Sequence, residues 1–191
     1  MGSLKFVAIA LLAGLLVSPA FAQSAPTYGL GRTPSAEEIR TRDINIGPTG
    51  DELPPGRGTP KEGEKVFTLQ GCIVCHGPEG AGGGPAPALK SKTSQDLPIW
   101  KRERILPLRA PFATTVWDYI NRGMPLGREG TLTANEVYAL TAYLLFVNKV
   151  SPEDTVLDEK SLPMVKMPIG DGYARLPDWK PGKRRLEGYP Y

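Results

Sequence analysis

The chain has 191 residues but only two cysteines and one histidine, and all three lie within Gly71-Cys72-Ile73-Val74-Cys75-His76-Gly77. That clustering bounds the fold and the chemistry together. Two thiols separated by two residues cannot brace a chain of this length, so a disulfide-stapled scaffold is excluded. A lone imidazole excludes multi-histidine metal sites, and a zinc site needs four ligands where this segment offers three. A thioredoxin-like redox pair would need a strand-to-helix context, whereas the flanks here are helical before and Gly-rich after. A plain disulfide between the two neighbours stays open in an oxidising compartment. The spacing matches the pattern of covalent c-type haem attachment. Two thiols add across the vinyl groups of one porphyrin edge, and the turn they force swings the next imidazole under the iron. On this reading Cys72 and Cys75 anchor a single haem c, and His76 is a permanent axial ligand of the iron.

With no second histidine, the remaining common partner for the sixth iron position is methionine, which raises the reduction potential. Met124, Met164 and Met167 are the candidates. Met124 is preferred because it sits in Asn121-Arg122-Gly123-Met124-Pro125, just past an expected helix end, where a loop can turn its sulfur inward. It lies 48 residues after His76 (124 minus 76). Ordinary loop packing at Met124, with Met164 or Met167 on the iron or none, is the alternative.

Around this motif the sequence reads as one modest all-α domain with irregular flanks. The chain opens with Lys5, an apolar run from Phe6 to Val17, then Ser18, Pro19 and small residues at Ala20 and Ala22. Residues 1–22 are thus expected to be an export signal cleaved after Ala22 into the periplasm, because twelve apolar residues fall short of the ~20 a spanning helix needs. No stable membrane insertion is expected. Removal of Lys5 leaves 22 basic and 20 acidic residues, a net +2, which gives no reason to expect nucleic-acid binding. Residues 23–58 form a Pro/Gly-rich N-terminal extension that cannot hold its own core. One or two helical turns are expected after Ser35, which forms a capping box with Glu38.

Thr59, Pro60 and Glu62 signal the next helix, expected from Pro60 to about Gln70 with Val66, Phe67 and Leu69 on its buried side. A loop over Gly80 to Gly84, ending in Pro85 and Pro87, follows the motif. The stretch from Lys90 to Arg109 is expected to be unstructured and carries six basic residues against two acidic ones. It is either a solvated loop or a docking surface for acidic redox partners, able also to pair with haem propionates. A helix from Phe112 to Arg122, closed by Gly123, precedes Met124. The last helix is capped by Thr133 with Glu136. Val137, Leu140, Leu144 and Leu145 recur at helical spacing, with Tyr138, Ala142 and Phe146 alongside, so packing on two sides is expected. The domain spans residues 59–150, and 151–191 form a proline-rich C-terminal extension.

This order of elements resembles the class I cytochromes c over about residues 59 to 150: a capped helix leading into Cys-x-x-Cys-His, Pro87-Ala88-Leu89, Gly123-Met124-Pro125, and a capped helix ending near Asn148. The resemblance implies that the first and last helices cross near the haem edge. It also implies that the Pro87 carbonyl accepts a hydrogen bond from His76, with Pro85 as the alternative; such bonds orient the ring and raise its basicity.

The flanks narrow the resemblance. Gly31-Arg32-Thr33-Pro34, Asp43-Ile44-Asn45-Ile46, Leu53-Pro54-Pro55-Gly56, Ala113 to Ile120, Glu136 to Leu145, Pro152-Glu153-Asp154 and Val165-Lys166-Met167-Pro168 resemble the cytochrome subunit of periplasmic sulfite and sulfane dehydrogenases. Those cytochromes often carry two haem domains, and the match here is to the one-haem domain and its tails. The resemblance implies a molybdenum-containing dehydrogenase subunit as electron donor and a downstream cytochrome c as acceptor. The extensions then either strap a partner subunit or cover the domain's own surface. One-electron relay is the expected function, since a six-coordinate iron has no vacant site at which to transform substrate. The rivals are a free-standing carrier unrelated to sulfur, a haem enzyme with a displaceable ligand, and a gas-binding sensor.

Overall fold

The computed structural model describes residues 30–94 and 96–170. The expected signal segment and its cleavage point after Ala22, residues 23–29, and the C-terminal extension from 171 onward lie outside the described residues. The chain divides into two units, one up to Ile39 and one from Arg40. In the first, Arg32 forms an ion pair with Glu38, and the Ser35–Glu38 capping box starts helix α1 (Ala36–Arg42), whose last residues fall past Ile39.

The second unit contains β1 (Arg57–Gly58), α2 (Pro60–Leu69), α3 (Cys72–His76), α4 (Leu106–Arg109), α5 (Ala113–Gly123), α6 (Ala134–Val147) and β2 (Leu157–Asp158). Short 3₁₀ turns occur at Pro78–Gly80, Ile99–Lys101 and Leu162–Met164. The architecture is helical, as expected; the two-residue strands pair antiparallel, with Gly58 opposite Leu157.

Two capping boxes set the helix starts. The Thr59 hydroxyl accepts the Glu62 N–H at 3.3 Å while Glu62 accepts the Thr59 N–H at 2.8 Å, and Thr133 with Glu136 repeats the arrangement. The last helix is more enclosed than its apolar stripe implies. Residues 137–145 are buried without interruption, because α2, α5, β1 and β2 all pack on α6. Phe146 is only half-buried. In α2 the buried positions are Pro60, Gly63 and Phe67, with Val66 half-buried and Leu69 84% exposed. Leu69 follows Phe67 by two residues, about 200° around the helix, which turns it away from the core.

α2 crosses α6 at Gly63. A Cβ there would stand 2.0 Å from the Ala139 carbonyl oxygen and 2.6 Å from the Tyr143 Cβ, and one on Gly58 would stand 2.2 Å from the Ala139 nitrogen. The helices approach backbone to backbone, and the Phe67 and Tyr143 rings meet beside the crossing at 5.5 Å between centroids.

The stretch between Lys90 and Arg109 differs from the unstructured segment expected. Ile105, Pro107 and Leu108 are buried and α4 forms over them, because the basic residues interrupt an apolar run without abolishing it. The flanks also contribute to the core, through Leu53 on one side and Leu157, Leu162 and Met167 on the other. The Tyr138 hydroxyl donates to the Pro54 carbonyl at 2.9 Å, and the Ile46 N–H donates to buried Asp118 at 3.1 Å. The described flanks from Ile46 onward therefore cover the domain's own surface.

Gly63→Ala tests the crossing. In an open helix this change gains about 1 kcal/mol, but here the methyl meets backbone, so overpacking prevails. The expected outcome is a net loss of about 2 kcal/mol in urea unfolding; a stabilised variant would contradict so close an approach.

Candidate haem site

α2 ends at Leu69 with Gln70 as its C-cap, and Gly71 takes a left-handed conformation (φ 78°) that redirects the chain into α3. Cys72 and Cys75 are unpaired, half-buried thiols three positions apart, which sets them on one side of a single helical turn. Burial pushes the Cys72 thiol up from its ordinary pKa, partly countered by the nearby Arg128 guanidinium.

The Gly-rich loop folds back onto this turn. The Ala86 N–H donates to the Cys75 carbonyl at 3.1 Å and the Gly82 N–H to the His76 carbonyl at 2.8 Å, satisfying groups that the helix end leaves free. Glycine is required by proximity: a Cβ on Gly77 would stand 2.0 Å from the Gly82 oxygen, and one on Gly84 would stand 2.2 Å from the Cys75 oxygen. The loop thereby delivers the Pro87 carbonyl, and not that of Pro85, to 2.7 Å from His76 Nδ1. A carbonyl only accepts, so Nδ1 is the nitrogen that donates, and in the neutral ring this leaves Nε2 with the lone pair. That is the tautomer a metal ligand requires, oriented by a backbone group.

Asn148, 1% exposed, fixes the far side of the loop. Its amide donates to the Leu89 and Leu144 carbonyls at 2.8 Å each, and its oxygen accepts the Ser91 N–H at 2.9 Å. Sequence reasoning placed Asn148 only as the end of the last helix; its role as the pin between that helix and the Pro87 segment appears in the structure alone.

The candidate methionines occupy different environments. Met167 is buried in the core at 6% exposure, Met164 is 78% exposed, and Met124 is half-buried against the core at the end of α5. The segment after Met124 is tied to the start of the cysteine motif: Arg128 donates to the Gln70 carbonyl at 3.1 Å, and the Gln70 amide donates to Glu136 at 2.7 Å.

Three further groups stand out in the structure; sequence reasoning named Arg109 only within the basic stretch able to pair with haem propionates, and Thr114 and Trp117 only within the Ala113 to Ile120 segment. Among the described residues, Arg109 Nε, Thr114 Oγ1 and Trp117 Nε1 are buried donors with no hydrogen-bond partner. An orphaned buried donor costs about 1–3 kcal/mol, and these three fall within nine consecutive residues at the α4–α5 corner. Trp117 and Thr114 are three apart on α5, and the signal that could have found them is a polar hydroxyl and an indole on an otherwise buried helix face. The residues suit haem in both respects. Two thiols on one helical turn, followed by an imidazole whose Nδ1 faces the Pro87 carbonyl, match covalent attachment of a porphyrin and ligation of its iron, and the buried donors suit its carboxylates. Among the described residues no three His, Cys, Asp or Glu side chains gather as an alternative metal site.

Comparison with known proteins agrees with this geometry. The family model for cytochrome c matches residues 60–148. No curated protein matches the chain. Among solved structures, a chain of the sulfane dehydrogenase SoxCD from Paracoccus pantotrophus superposes with a TM-score of 0.64 at 32% identity, covering 78% of this chain and 72% of that one. Identity at that level across most of both chains, together with the family match over the cysteine motif, makes this protein a member of the cytochrome c family, and the cofactor which that family implies is haem c.

Proposed function

We propose that the chain is a monohaem c-type cytochrome of the periplasm that relays single electrons from a molybdenum-containing dehydrogenase acting on sulfite or sulfane sulfur to a further cytochrome c. The observation that carries the relay is the 2.7 Å contact of His76 Nδ1 with the Pro87 carbonyl, which commits Nε2 to ligation immediately beside the two thiols. Cys72 and Cys75 would hold the single haem covalently, and His76 Nε2 and the Met124 sulfur would ligate its iron. Bound there, haem supplies one-electron iron redox chemistry. The protein's part is to fill both axial positions, fix the imidazole and exclude water with Trp117, Tyr138 and the aliphatic core around them. With both positions filled there is no vacancy for substrate, so the oxidation of the sulfur compound belongs to the partner. Similarity to the SoxCD chain supports the sulfur-oxidising setting, and the apolar segment from Phe6 to Val17 supports export.

Met124→Ala is expected to convert a low-spin spectrum to a high-spin or carbon-monoxide-reactive one, and to lower the midpoint potential by on the order of 100 mV. Met164→Ala and Met167→Ala should leave the ligation spectrum in place; a reversal of that pattern moves the axial assignment.

Gentle purification of the tagged protein from its native periplasm is expected to bring molybdenum with it, and added sulfite should then reduce the haem within the assay. A lone cytochrome that sulfite does not reduce would leave a free electron carrier, without the dehydrogenase.

A further inference from the structure

We propose that the braced residues 91–94 and 96–104 form a docking surface for the acidic face of an electron-exchange partner protein, with Trp100 as its apolar anchor and Lys92, Lys101 and Arg104 as the cations that meet that face. The electron-exchange part rests on the relay function proposed above.

Trp100 is 57% exposed and Leu97 beside it 37% exposed, although tryptophan is on average a well-buried residue. The indole is not outward for want of structure around it. Trp100 sits in the Ile99–Lys101 turn, the Arg102 guanidinium donates to the Leu97 carbonyl at 2.7 Å, and that of Arg109 to the Arg102 carbonyl at 2.9 Å. The Lys92 N–H is held by Glu103 at 2.7 Å, and Ile105 and Leu108 are buried just beyond. The loop is thus held in shape while presenting a large apolar ring, which lowers the ordering cost of association.

The charges sort the same way. Of the six basic residues in this region, Lys90 pairs with Glu79, and the guanidiniums of Arg102 and Arg109 hold backbone carbonyls. Lys92, Lys101 and Arg104 remain exposed, with no ion pair among the described residues. Of the two acidic residues, Glu103 is occupied by the Lys92 N–H, and Asp96 closes a turn with Ser94 at 2.9 Å. Trp100 is thus exposed on the same segment as three cations that form no ion pair among the described residues, and these are residue types that dominate binding hot spots and steer acidic partners. Clusters that hold anionic membranes carry 4–8 basic residues, so three cations and a single indole favour a protein over a lipid surface.

The position suits electron exchange. Ser91 is bonded to Asn148, which also holds Leu89, two residues after the Pro87 that orients His76. At its other end the loop runs into α4 and the orphaned donors of the α4–α5 corner.

The test uses the haem-loaded full chain and, as probe, a purified acidic flavodoxin, with calorimetric titration of the oxidised pair and stopped-flow reduction by the reduced flavodoxin. Trp100→Ala is expected to weaken binding about tenfold. Lys101→Glu combined with Arg104→Glu should weaken it at least about tenfold and flatten its salt dependence. Lys65→Glu, an exposed change on α2, should stay within about twofold of the unaltered protein. The haem spectrum and midpoint should be the same in all. Loop variants that bind like the unaltered chain, no salt-sensitive binding by the unaltered chain, or an equal loss in Lys65→Glu would each overturn the proposal. So would Trp100-dependent binding to phosphatidylglycerol vesicles without binding to flavodoxin. Failure of the relay is read separately, as haem that dithionite or sulfite does not reduce, while titration of the oxidised proteins still decides the loop.

Discussion

No side chain fits between Gly63 and the Ala139 carbonyl, and the rest of the domain is arranged around that contact. Because α2 meets α6 backbone to backbone, the end of α2 and the end of α6 are both fixed in space. The first delivers Gly71 and the cysteine turn; the second delivers Asn148, whose amide holds the segment carrying the Pro87 carbonyl. His76 is oriented through hydrogen bonds that trace back to this crossing. A longer side chain at residue 63 would displace the scaffold of the imidazole without touching the imidazole.

The parts legible in the sequence are those with a local cause. Thr59 with Glu62 and Thr133 with Glu136 announce their helices because a capping box is complete within four residues. The Cys-x-x-Cys-His run announces its chemistry because the spacing is itself the constraint. Whatever depended on distant partners was read less well. Leu69 belongs by composition to a buried face and points outward because the crossing selects the face of Gly63 and Phe67. The unbroken burial of residues 137–145 in α6 depends on strands and flanks that have no apolar period of their own. The unmet donors of Arg109, Thr114 and Trp117 became conspicuous only once burial showed that no group among the described residues satisfies them.

Polar contacts near the motif are made largely to backbone carbonyls: His76 to Pro87, Asn148 to Leu89 and Leu144, Arg128 to Gln70. Carbonyl acceptors carry no titratable group, so the pose of the imidazole does not depend on the protonation of a neighbouring carboxylate. This suits a carrier whose potential should hold steady while the pH around it varies.

The flanking segments change what counts as the folding unit. The family match ends at residues 60 and 148, yet Leu53, Leu157, Leu162 and Met167 share the core with Trp117 and Tyr138. Strand β2 pairs with β1, and the turn at Leu162–Met164 rests on α5. A fragment cut at the family boundaries would bare the outer faces of both α5 and α6 and expose contiguous apolar surface to solvent. The evolutionary module and the cooperative module therefore differ in extent, and a gene fusion or domain graft that transplanted only the former would export an aggregation-prone core without its cover.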